Sequence, residues 1–358
     1  MHNSGMDLPP KKADSAIERS VPVSDALNRP LHDLRISLLD QCNFRCPYCM
    51  PEDKFHAEYE FLKKQQRLTY EEIIRVASAA TGLGVSKIRL TGGEPLLDKN
   101  IVTLVEQLSV LQGVDDLALT TNGMLLEPIA AKLAAAGLHR VTVSLDSIDK
   151  DLFRAMSGGR GDLNKVMAGI DAANDAGLGP IKVNVVVQKG INDHAILDLL
   201  EHFRGSGTVV RLIEFMDVGN RNGWRMNQVV PSGVLLEKIQ QRWPLRAIGK
   251  NYPGEVARRY EYTDGEGEIG FISSVTEPFC GDCSRARLSA DGVLYTCLFA
   301  NQGTDLRESL RNGADDDELR DILSSIWLQR ADRYSELRQP ELAEHHVLRK
   351  VEMYRIGG

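Results

Sequence analysis

The six cysteines of the chain form two triplets, and thiolates are ligands of both zinc and iron–sulfur clusters. The triplets are Cys42, Cys46 and Cys49, followed by Cys280, Cys283 and Cys297. Residues 1–15 contain no apolar signal segment, so we expect a cytoplasmic, reducing setting. In such a setting grouped cysteines bind metal more often than they form disulfides.

The first triplet has the spacing CxxxCxxC and directly follows a predicted strand. Three thiolates can hold three irons of a [4Fe-4S] cluster and leave the fourth iron open to another ligand. A structural zinc would need a fourth protein ligand; His56 is the nearest histidine downstream, so a Cys₃His zinc site is an alternative. The segment 91–95, TGGEP, follows the next predicted strand. Its glycines permit close approach of a ligand to the backbone, and Glu94 offers an acceptor for an amino group.

The second triplet is CxxC followed by a third cysteine, which by spacing alone is also half of a zinc ribbon. No histidine lies between Asp282 and the far C-terminus, so an obvious fourth ligand for zinc is missing. In the segment 284–288, SRARL, the two arginines would point the same way if the backbone is extended. Two guanidiniums beside a cluster are costly unless they meet an anion such as a phosphate chain, although a single arginine is usually on a solvated strand face.

These motifs are positioned by strands that alternate with helices. Six β-branched segments are predicted as strands, namely 34–39, 87–91, 117–121, 140–145, 181–187 and 209–215. Amphipathic segments between them are predicted as helices; the clearest begins with a capping box at Thr69 and Glu72, and Gly137 and Gly177 end two others. The pattern predicts an α/β fold with an incomplete (β/α)₆ barrel of the TIM type, whose site lies at the C-terminal ends of the strands.

Three regions are predicted along the 358 residues. Residues 1–30 are polar and without periodicity, which predicts a disordered leader; 31–230 form the partial barrel; 231–358 form a smaller α+β extension that closes the barrel. The formal charge of −7 gives no indication of nucleic-acid binding, and no apolar run approaches the roughly 18 residues of a membrane span. The segment 158–161 is predicted to be a flexible loop, and His345 and His346 a surface pair.

CxxxCxxC and GGEP together resemble the radical S-adenosylmethionine superfamily, in which the open iron binds the amino and carboxylate groups of S-adenosylmethionine. With SRARL and the terminal Gly357-Gly358, the chain resembles the GTP 3′,8-cyclase family from Leu34 to its end. The resemblance implies two [4Fe-4S] clusters, one on each triplet, the second binding the guanine of GTP. It also implies a lyase of molybdenum cofactor biosynthesis, in which a 5′-deoxyadenosyl radical takes the hydrogen from C3′ of GTP and C3′ closes onto C8.

The resemblance further implies roles for individual residues. The S-adenosylmethionine contacts would be Tyr48, Gly93, Ser144 and Met216, beside Glu94. The GTP contacts would be Arg35, Arg89, Thr120, Lys182, Arg285, Ala286 and Arg287. Gly357 and Gly358 would reach into the active site and act there with Arg285 and Arg287. A triphosphate would also explain cations within apolar strands, which are rarely buried without a partner.

The family implies a homodimer, a reductant of the flavodoxin or ferredoxin type, and a cyclic pyranopterin monophosphate synthase as the next enzyme. Two alternatives stay open. Another radical S-adenosylmethionine enzyme with an auxiliary cluster, such as a peptide-modifying maturase, would not require SRARL or the terminal glycines. A non-enzymatic iron–sulfur or zinc protein would leave GGEP and the strand cations unexplained.

Overall fold

The computed structural model describes residues 22–339 and 350–357. All six predicted strands are confirmed to within two residues, as β1 (Asp33–Ser37), β2 (Lys87–Thr91), β3 (Asp116–Thr121), β4 (Arg140–Ser144), β5 (Lys182–Val187) and β6 (Val209–Glu214). The helices between them are α1 (Tyr70–Thr81), α2 (Ile101–Ser109), α3 (Ala130–Ala135), α4 (Lys150–Met156), α5 (Leu163–Asp175) and α6 (Ile196–Phe203). The short helix α4 was not predicted from the sequence.

Local signals set several of these boundaries. Thr69 accepts a hydrogen bond from the backbone of Glu72 and the Glu72 carboxylate accepts one from Thr69, so the predicted capping box is confirmed. Gly137 and Gly177 follow α3 and α5 with φ of +95° and +76°, the left-handed conformation that ends a helix at low cost in glycine.

Among its described residues, the C-terminal part contributes ten further α-helices and strands. These are α7 (Ser232–Gln240), β7 (Leu245–Ile248), β8 (Arg258–Tyr262), β9 (Glu268–Ile272), β10 (Arg285–Leu288), β11 (Val293–Tyr295), β12 (Thr304–Asp305), α8 (Leu306–Arg311), α9 (Asp316–Leu328) and α10 (Met353–Ile356). None of the helices in the described ranges is long and apolar enough to cross a membrane.

The strands form one sheet of twelve in the order β12-β11-β10-β1-β2-β3-β4-β5-β6-β9-β8-β7. β10 pairs parallel with β1 and β9 pairs parallel with β6, so the extension lengthens the parallel sheet at both edges. The expected closure of the barrel by the extension is therefore wrong: the sheet stays open, and the fold is a mixed α/β fold on a parallel sheet. The physical reason is that both edges of the six-stranded unit offer unpaired backbone groups, and each C-terminal hairpin satisfies one of them.

Side-chain alternation divides the sheet into an apolar face and a polar face. On β2, Ile88 and Leu90 belong to the hydrophobic core, while Lys87, Arg89 and Thr91 line a cavity on the opposite face. Helix α1 packs on the core face against β1, and against α2 and α9 at its sides. The helices thus supply the apolar layer and leave the other face free for chemistry.

Order begins earlier than the sequence predicts. The polar residues 22–30 were expected to belong to a disordered leader, but Ser24 and Pro30 form a β-bridge and the side chains of Asp25 and Arg29 are buried and paired at 2.6 Å. Asp25 also pairs at 2.9 Å with Arg330, 305 positions along the chain. Partners so distant in sequence leave no local pattern. Residues 1–21, His345, His346 and Gly358 lie outside the described residues.

Glu214, the last residue of β6, joins the two parts of the chain. Its carboxylate is only 2% exposed and accepts hydrogen bonds from the backbone of Ser232 (2.9 Å), Val275 (2.8 Å) and Thr276 (2.9 Å). One buried carboxylate therefore fixes the start of α7 and the loop after β9 against the parallel sheet.

We expect Glu214→Gln to lower the free energy of unfolding by about 2–3 kcal/mol, because the amide loses the charge and turns a donor toward backbone N–H groups. Denaturant unfolding followed by circular dichroism measures the loss. Glu201→Gln is the matched control, since Glu201 pairs with Arg242 on the surface and should contribute no more than about 1 kcal/mol. Equal effects of the two substitutions would contradict this role of Glu214.

Candidate active site

All six cysteines line one cavity on the polar face of the sheet. The cavity is partly open to solvent and has a volume of about 290 Å³. Further predicted site residues on its wall are Arg35, Tyr48, Arg89, Gly93, Glu94, Thr120, Ser144, Lys182, Met216, Arg285 and Arg287.

Ala286 is placed differently. It is 2% exposed and packs in the hydrophobic core on the far side of β10, because it alternates with Arg285 and Arg287 along the strand. Its side chain therefore does not face the cavity, and any contact with a ligand there would have to come from its backbone.

The loop that carries the first triplet is tightly turned. The backbone N–H groups of Cys49 and Met50 both donate to the carbonyl of Cys46, at 2.9 and 2.8 Å. The buried Arg45 guanidinium donates to the carbonyls of Cys42 (2.8 Å), Phe44 (2.8 Å) and Phe55 (3.0 Å). The Arg45 side chain therefore links three backbone carbonyls of this loop and stabilises its conformation.

The segment 158–161, expected to be a flexible loop, supports that first triplet. The carbonyl of Ser157 accepts from the backbone of Arg45 at 3.1 Å, and Arg160 pairs with Glu52 at 2.8 Å. Gly158 has a φ of +69° and lies so close to the Arg45 backbone that a Cβ would not fit. Close packing of two backbones explains this glycine.

The GGEP segment packs against the chain that leads to Cys42. Gly93 donates to the carbonyl of Leu39 at 2.7 Å and Glu94 to that of Gln41 at 2.8 Å; a Cβ on Gly93 would meet the Gln41 carbonyl. The lack of a side chain at Gly93 thus lets the backbone of Leu39 and Gln41 pack closely against it. Close approach of a ligand to these glycines stays a prediction.

Glu94 orders two loops around the cavity. Its carboxylate accepts from the backbone of Leu96 (3.0 Å) and Asn122 (2.7 Å) and from the Thr121 hydroxyl (2.7 Å). Burial raises the pKa of Glu94 to about 7, against the lowering effect of these donors. A carboxylate offers about four acceptor positions and three are used here, so acceptance of a hydrogen bond from an amino group stays a prediction.

Asp146 is a cavity residue that the sequence reasoning missed. Its carboxylate accepts from the Tyr48 hydroxyl at 2.6 Å and from the backbone of Val186 at 2.8 Å, and burial raises its pKa to about 6. The Tyr48 hydroxyl is thus fixed within the protein, which leaves the ring and backbone of Tyr48 for a ligand. The only signal in the sequence was an acid two residues after Ser144 at a strand end.

The surroundings of the second triplet are more cationic. Burial raises the pKa of the Cys283 thiol, but the guanidiniums of Arg285 and Arg330 outweigh it and bring the value down to about 6. Arg285 approaches the Cys283 sulfur at 3.4 Å, and the Phe299 backbone donates to the Cys297 sulfur at 3.5 Å. Burial raises the pKa of Cys297 to about 11.

The donor chemistry of both triplets fits an iron–sulfur cluster, because thiolates are the usual ligands of its irons. Within the described residues, no three or more His, Cys, Asp and Glu side chains are grouped closely enough to hold one metal ion, and His56 is exposed. Hydrogen bonds to sulfur, such as those to Cys42 and Cys297, also suit a cluster.

Three arginines lie side by side between the triplets. Arg35 on β1 is in register with Arg287 on β10 and with Arg89 on β2. Arg89 donates to Thr120 at 2.9 Å, but the Arg35 guanidinium makes no hydrogen bond or ion pair to any described residue. Burial and the nearby Arg287 and Arg285 lower the pKa of Arg35. Burial, followed by Arg211, lowers the pKa of Lys182 to about 7.

Lys87, Arg140 and Arg211 also line the cavity and were missed. Arg211 donates to Asn184 at 2.9 Å, and the Arg140 guanidinium pairs with Asp116. Each is a cation in or beside an apolar strand, so the rule that singled out Arg35, Arg89 and Lys182 would have found them too.

The C-terminal tail reaches this basic wall. The Arg287 guanidinium donates to the carbonyl of Gly357, and the Tyr354 hydroxyl is 2.8 Å from that of Tyr59. Gly357 has a φ of +70°, and a Cβ there would collide with the side chain of Thr91. The C-terminal tail therefore lies against both Arg287 and Thr91, the first residue of the segment 91–95.

Comparison with known proteins agrees with this architecture. The Radical SAM superfamily matches residues 36–203, and Molybdenum Cofactor Synthesis C matches residues 208–336. Among solved structures, Streptococcus suis SuiB bound to S-adenosylmethionine has a TM-score of 0.58 over 88% of this chain and 72% of its own. At 16% identity this likeness shows the fold alone.

Three curated relatives are named GTP 3′,8-cyclase. The protein of Xanthomonas campestris pv. campestris (strain B100) is 51% identical over 95% of this chain and 98% of its own length. Those of Acidothermus cellulolyticus and Staphylococcus epidermidis (strain ATCC 35984) are 48% and 44% identical, each over 94% of this chain and 99% of the relative. The chain belongs to the GTP 3′,8-cyclase family of radical S-adenosylmethionine enzymes.

Proposed function

We propose that this chain converts GTP into (8S)-3′,8-cyclo-7,8-dihydroguanosine 5′-triphosphate, the first step of molybdenum cofactor biosynthesis. The observation that carries the proposal is that both cysteine triplets and a row of buried arginines face one cavity. A maturase acting on a peptide would have no use for that row, and an electron-transfer or zinc protein would have no use for the cavity.

In this proposal Cys42, Cys46 and Cys49 hold the [4Fe-4S] cluster to which S-adenosylmethionine binds. When bound and reduced, that cluster supplies the electron that splits S-adenosylmethionine into methionine and a 5′-deoxyadenosyl radical. The chain positions the cosubstrate with the wall formed by Tyr48, Ser144 and Met216. Glu94 and Asp146 keep this wall in place through their buried hydrogen bonds.

Cys280, Cys283 and Cys297 hold a second cluster, which orients the guanine. Arg285, Arg287 and Lys182 neutralise the triphosphate. Further GTP contacts come from Arg35 and Arg89, and Arg211 and Lys87 add to the same basic wall. Burial disfavours the charged forms of these arginine and lysine side chains, and a bound triphosphate would favour the charged forms again. Enclosure by the sheet also keeps water and other hydrogen donors from the radicals.

Arg285 and Arg287 act closest to the reaction, between the second triplet and the tail. The 5′-deoxyadenosyl radical would take the hydrogen from C3′ of GTP and become 5′-deoxyadenosine, a bond would form between C3′ and C8, and one further electron and one proton would complete the product. We propose a reductant of the flavodoxin or ferredoxin type as the electron source, a homodimer as the assembly, and cyclic pyranopterin monophosphate synthase as the consumer of the product.

Anaerobic incubation of the reconstituted protein with GTP, S-adenosylmethionine and a reductant should release 5′-deoxyadenosine and the cyclised nucleotide together, as followed by mass spectrometry. Omission of GTP should suppress both. Release of 5′-deoxyadenosine that did not depend on GTP would count against this substrate. Zinc without acid-labile sulfide in anaerobically purified protein would overturn the cluster assignment.

Arg285→Ala and Arg287→Ala should each lower kcat/KM for GTP by about 30-fold or more, because each removes a cation that faces the triphosphate. Iron and sulfide content should stay at the wild-type level. Arg320→Ala is the control, since Arg320 pairs only with Asp317 on an exposed helix face. Wild-type turnover in both cavity variants would show that the phosphate assignment is wrong.

Gly357→Ala should abolish cyclisation with both clusters still assembled, because its Cβ would push the tail away from Thr91 and Arg287. Gly313→Ala is matched to it: Gly313 also has a positive φ, of +94°, but a Cβ there meets nothing within 4 Å. Both variants carry the same type of backbone strain, worth about 1 kcal/mol. The proposed role of the tail requires that only Gly357→Ala loses product.

A further inference from the structure

Each cysteine loop is braced by buried arginines that donate to backbone carbonyls. In the first loop the brace is Arg45, which reaches the carbonyl of Cys42 itself. In the second it is a pair, Arg29 and Arg330. These three arginines bind no cavity ligand in the proposed function, and their hydrogen bonds to the loops are made by the protein alone.

The second brace spans the whole triplet. The Arg29 Nη1 donates to the carbonyl of Cys280 at 2.7 Å, 251 positions away, and to that of Asp332 at 2.7 Å. The Arg330 Nη1 donates to the carbonyl of Cys283 at 2.7 Å, and its Nε to that of Thr296, the neighbour of Cys297, at 3.1 Å. Two guanidiniums thus fix the backbone at or beside all three cysteines.

Asp25 ties the two guanidiniums together. One of its oxygens accepts from Arg29 Nε at 2.6 Å and from Arg330 Nη1 at 2.9 Å, and its side chain is fully buried. Trp327 completes the brace, because Arg330 lies 4.5 Å from its ring centroid and its indole N–H donates to the carbonyl of Arg29 at 3.0 Å. The Asp332 carboxylate also lies 3.4 Å from the Arg330 Nε, so the two guanidiniums are balanced by two carboxylates.

The second triplet needs such a brace because little regular structure holds it. Cys280 begins a single 3₁₀ turn, Cys283 precedes β10, and Cys297 lies in a turn after β11. Thiolates on three irons of one cluster must keep a fixed separation, and groups that orient metal ligands change metal affinity by about 10- to 100-fold when removed.

We propose that Asp25, Arg29 and Arg330 are positioning residues for the second cluster and that Arg45 is the positioning residue for the first, so that each site is set independently. The inference rests on the proposed function in one respect, that both triplets hold clusters. The Arg330 guanidinium, which donates to the Cys283 carbonyl, also raises the potential of the second cluster, because a nearby cation favours the more negative, reduced form.

The test compares Arg330→Gln with Arg45→Gln as mutual controls. Chelator-driven loss of the second cluster should be about 10- to 100-fold faster in Arg330→Gln, with the first cluster retained, and Arg45→Gln should show the reverse. The two clusters are distinguished by electron paramagnetic resonance. Triple Cys→Ala variants of each triplet supply the reference spectra.

A redox titration separates positioning from simple destabilisation. Arg330→Gln removes a positive charge and should shift the second cluster to a more negative potential, whereas Asp25→Asn removes the negative charge and should shift it to a more positive one. Arg29→Lys, which keeps the charge but cannot reach Asp25 and two carbonyls together, should speed cluster loss without a comparable shift in potential. If Arg330→Gln does not fold, Asp25→Asn and Arg29→Lys still decide the matter.

The outcomes separate the two proposals. Wild-type protein with one cluster, or full iron content after removal of the second triplet, would overturn the two-cluster function itself. Two clusters in the wild type with unchanged release rates and potentials in Arg330→Gln, Asp25→Asn and Arg29→Lys would overturn the positioning inference alone. Equal loss of both clusters in every variant, or potential shifts of one sign, would also overturn it, because each brace would then act on the whole fold.

Discussion

The row of Arg287, Arg35 and Arg89 across three neighbouring strands is the constraint on which the rest of this structure depends. Like charges directly opposite one another destabilise a sheet, and burial adds to that cost because it disfavours the charged form. In the next row across the same three strands, the Asp33 carboxylate lies between Arg285 and Lys87 and offsets the repulsion between these two cations. The arginine row has no such carboxylate, so the sheet is stable with it only because a packed apolar face supports the same strands.

Because side chains alternate between the two faces of a strand, the same strands can carry both the arginine row and the apolar face. Leu34 and Ile36 are buried among the helices while Arg35 between them faces the cavity, and β2 repeats this arrangement in register. A shift of register by one residue would put arginines into the core and leucines into the cavity. The cost of that exchange is what makes the register specific, and it also places the cations on the same side as both cysteine loops.

The parts of this fold that could be predicted are those with a local signal. The six strands, the capping box at Thr69 and the position of the first triplet follow from periodicity, from hydrogen-bonding side chains close in sequence, and from the common edge of parallel strands. The open sheet and the approach of the second triplet to the first were not predictable, because nothing local shows that β9 and β10 pair with β6 and β1. Asp25 was read as part of a polar leader, since its partner Arg330 is 305 positions away.

The hydrogen-bond partners of the arginine side chains distinguish those that stabilise the fold from those that are free to bind a ligand. Arg29, Arg45 and Arg330 donate to several carbonyls each, so their charge is already solvated by the protein and they hold shape. The Arg35 guanidinium has no hydrogen-bond partner among the described residues and lies on the cavity wall, so its donors are free for an anion. A guanidinium is planar, carries five donors and stays charged, which suits it to both tasks. The same side chain therefore braces the cysteine loops where acceptors surround it and binds a phosphate chain where they are missing.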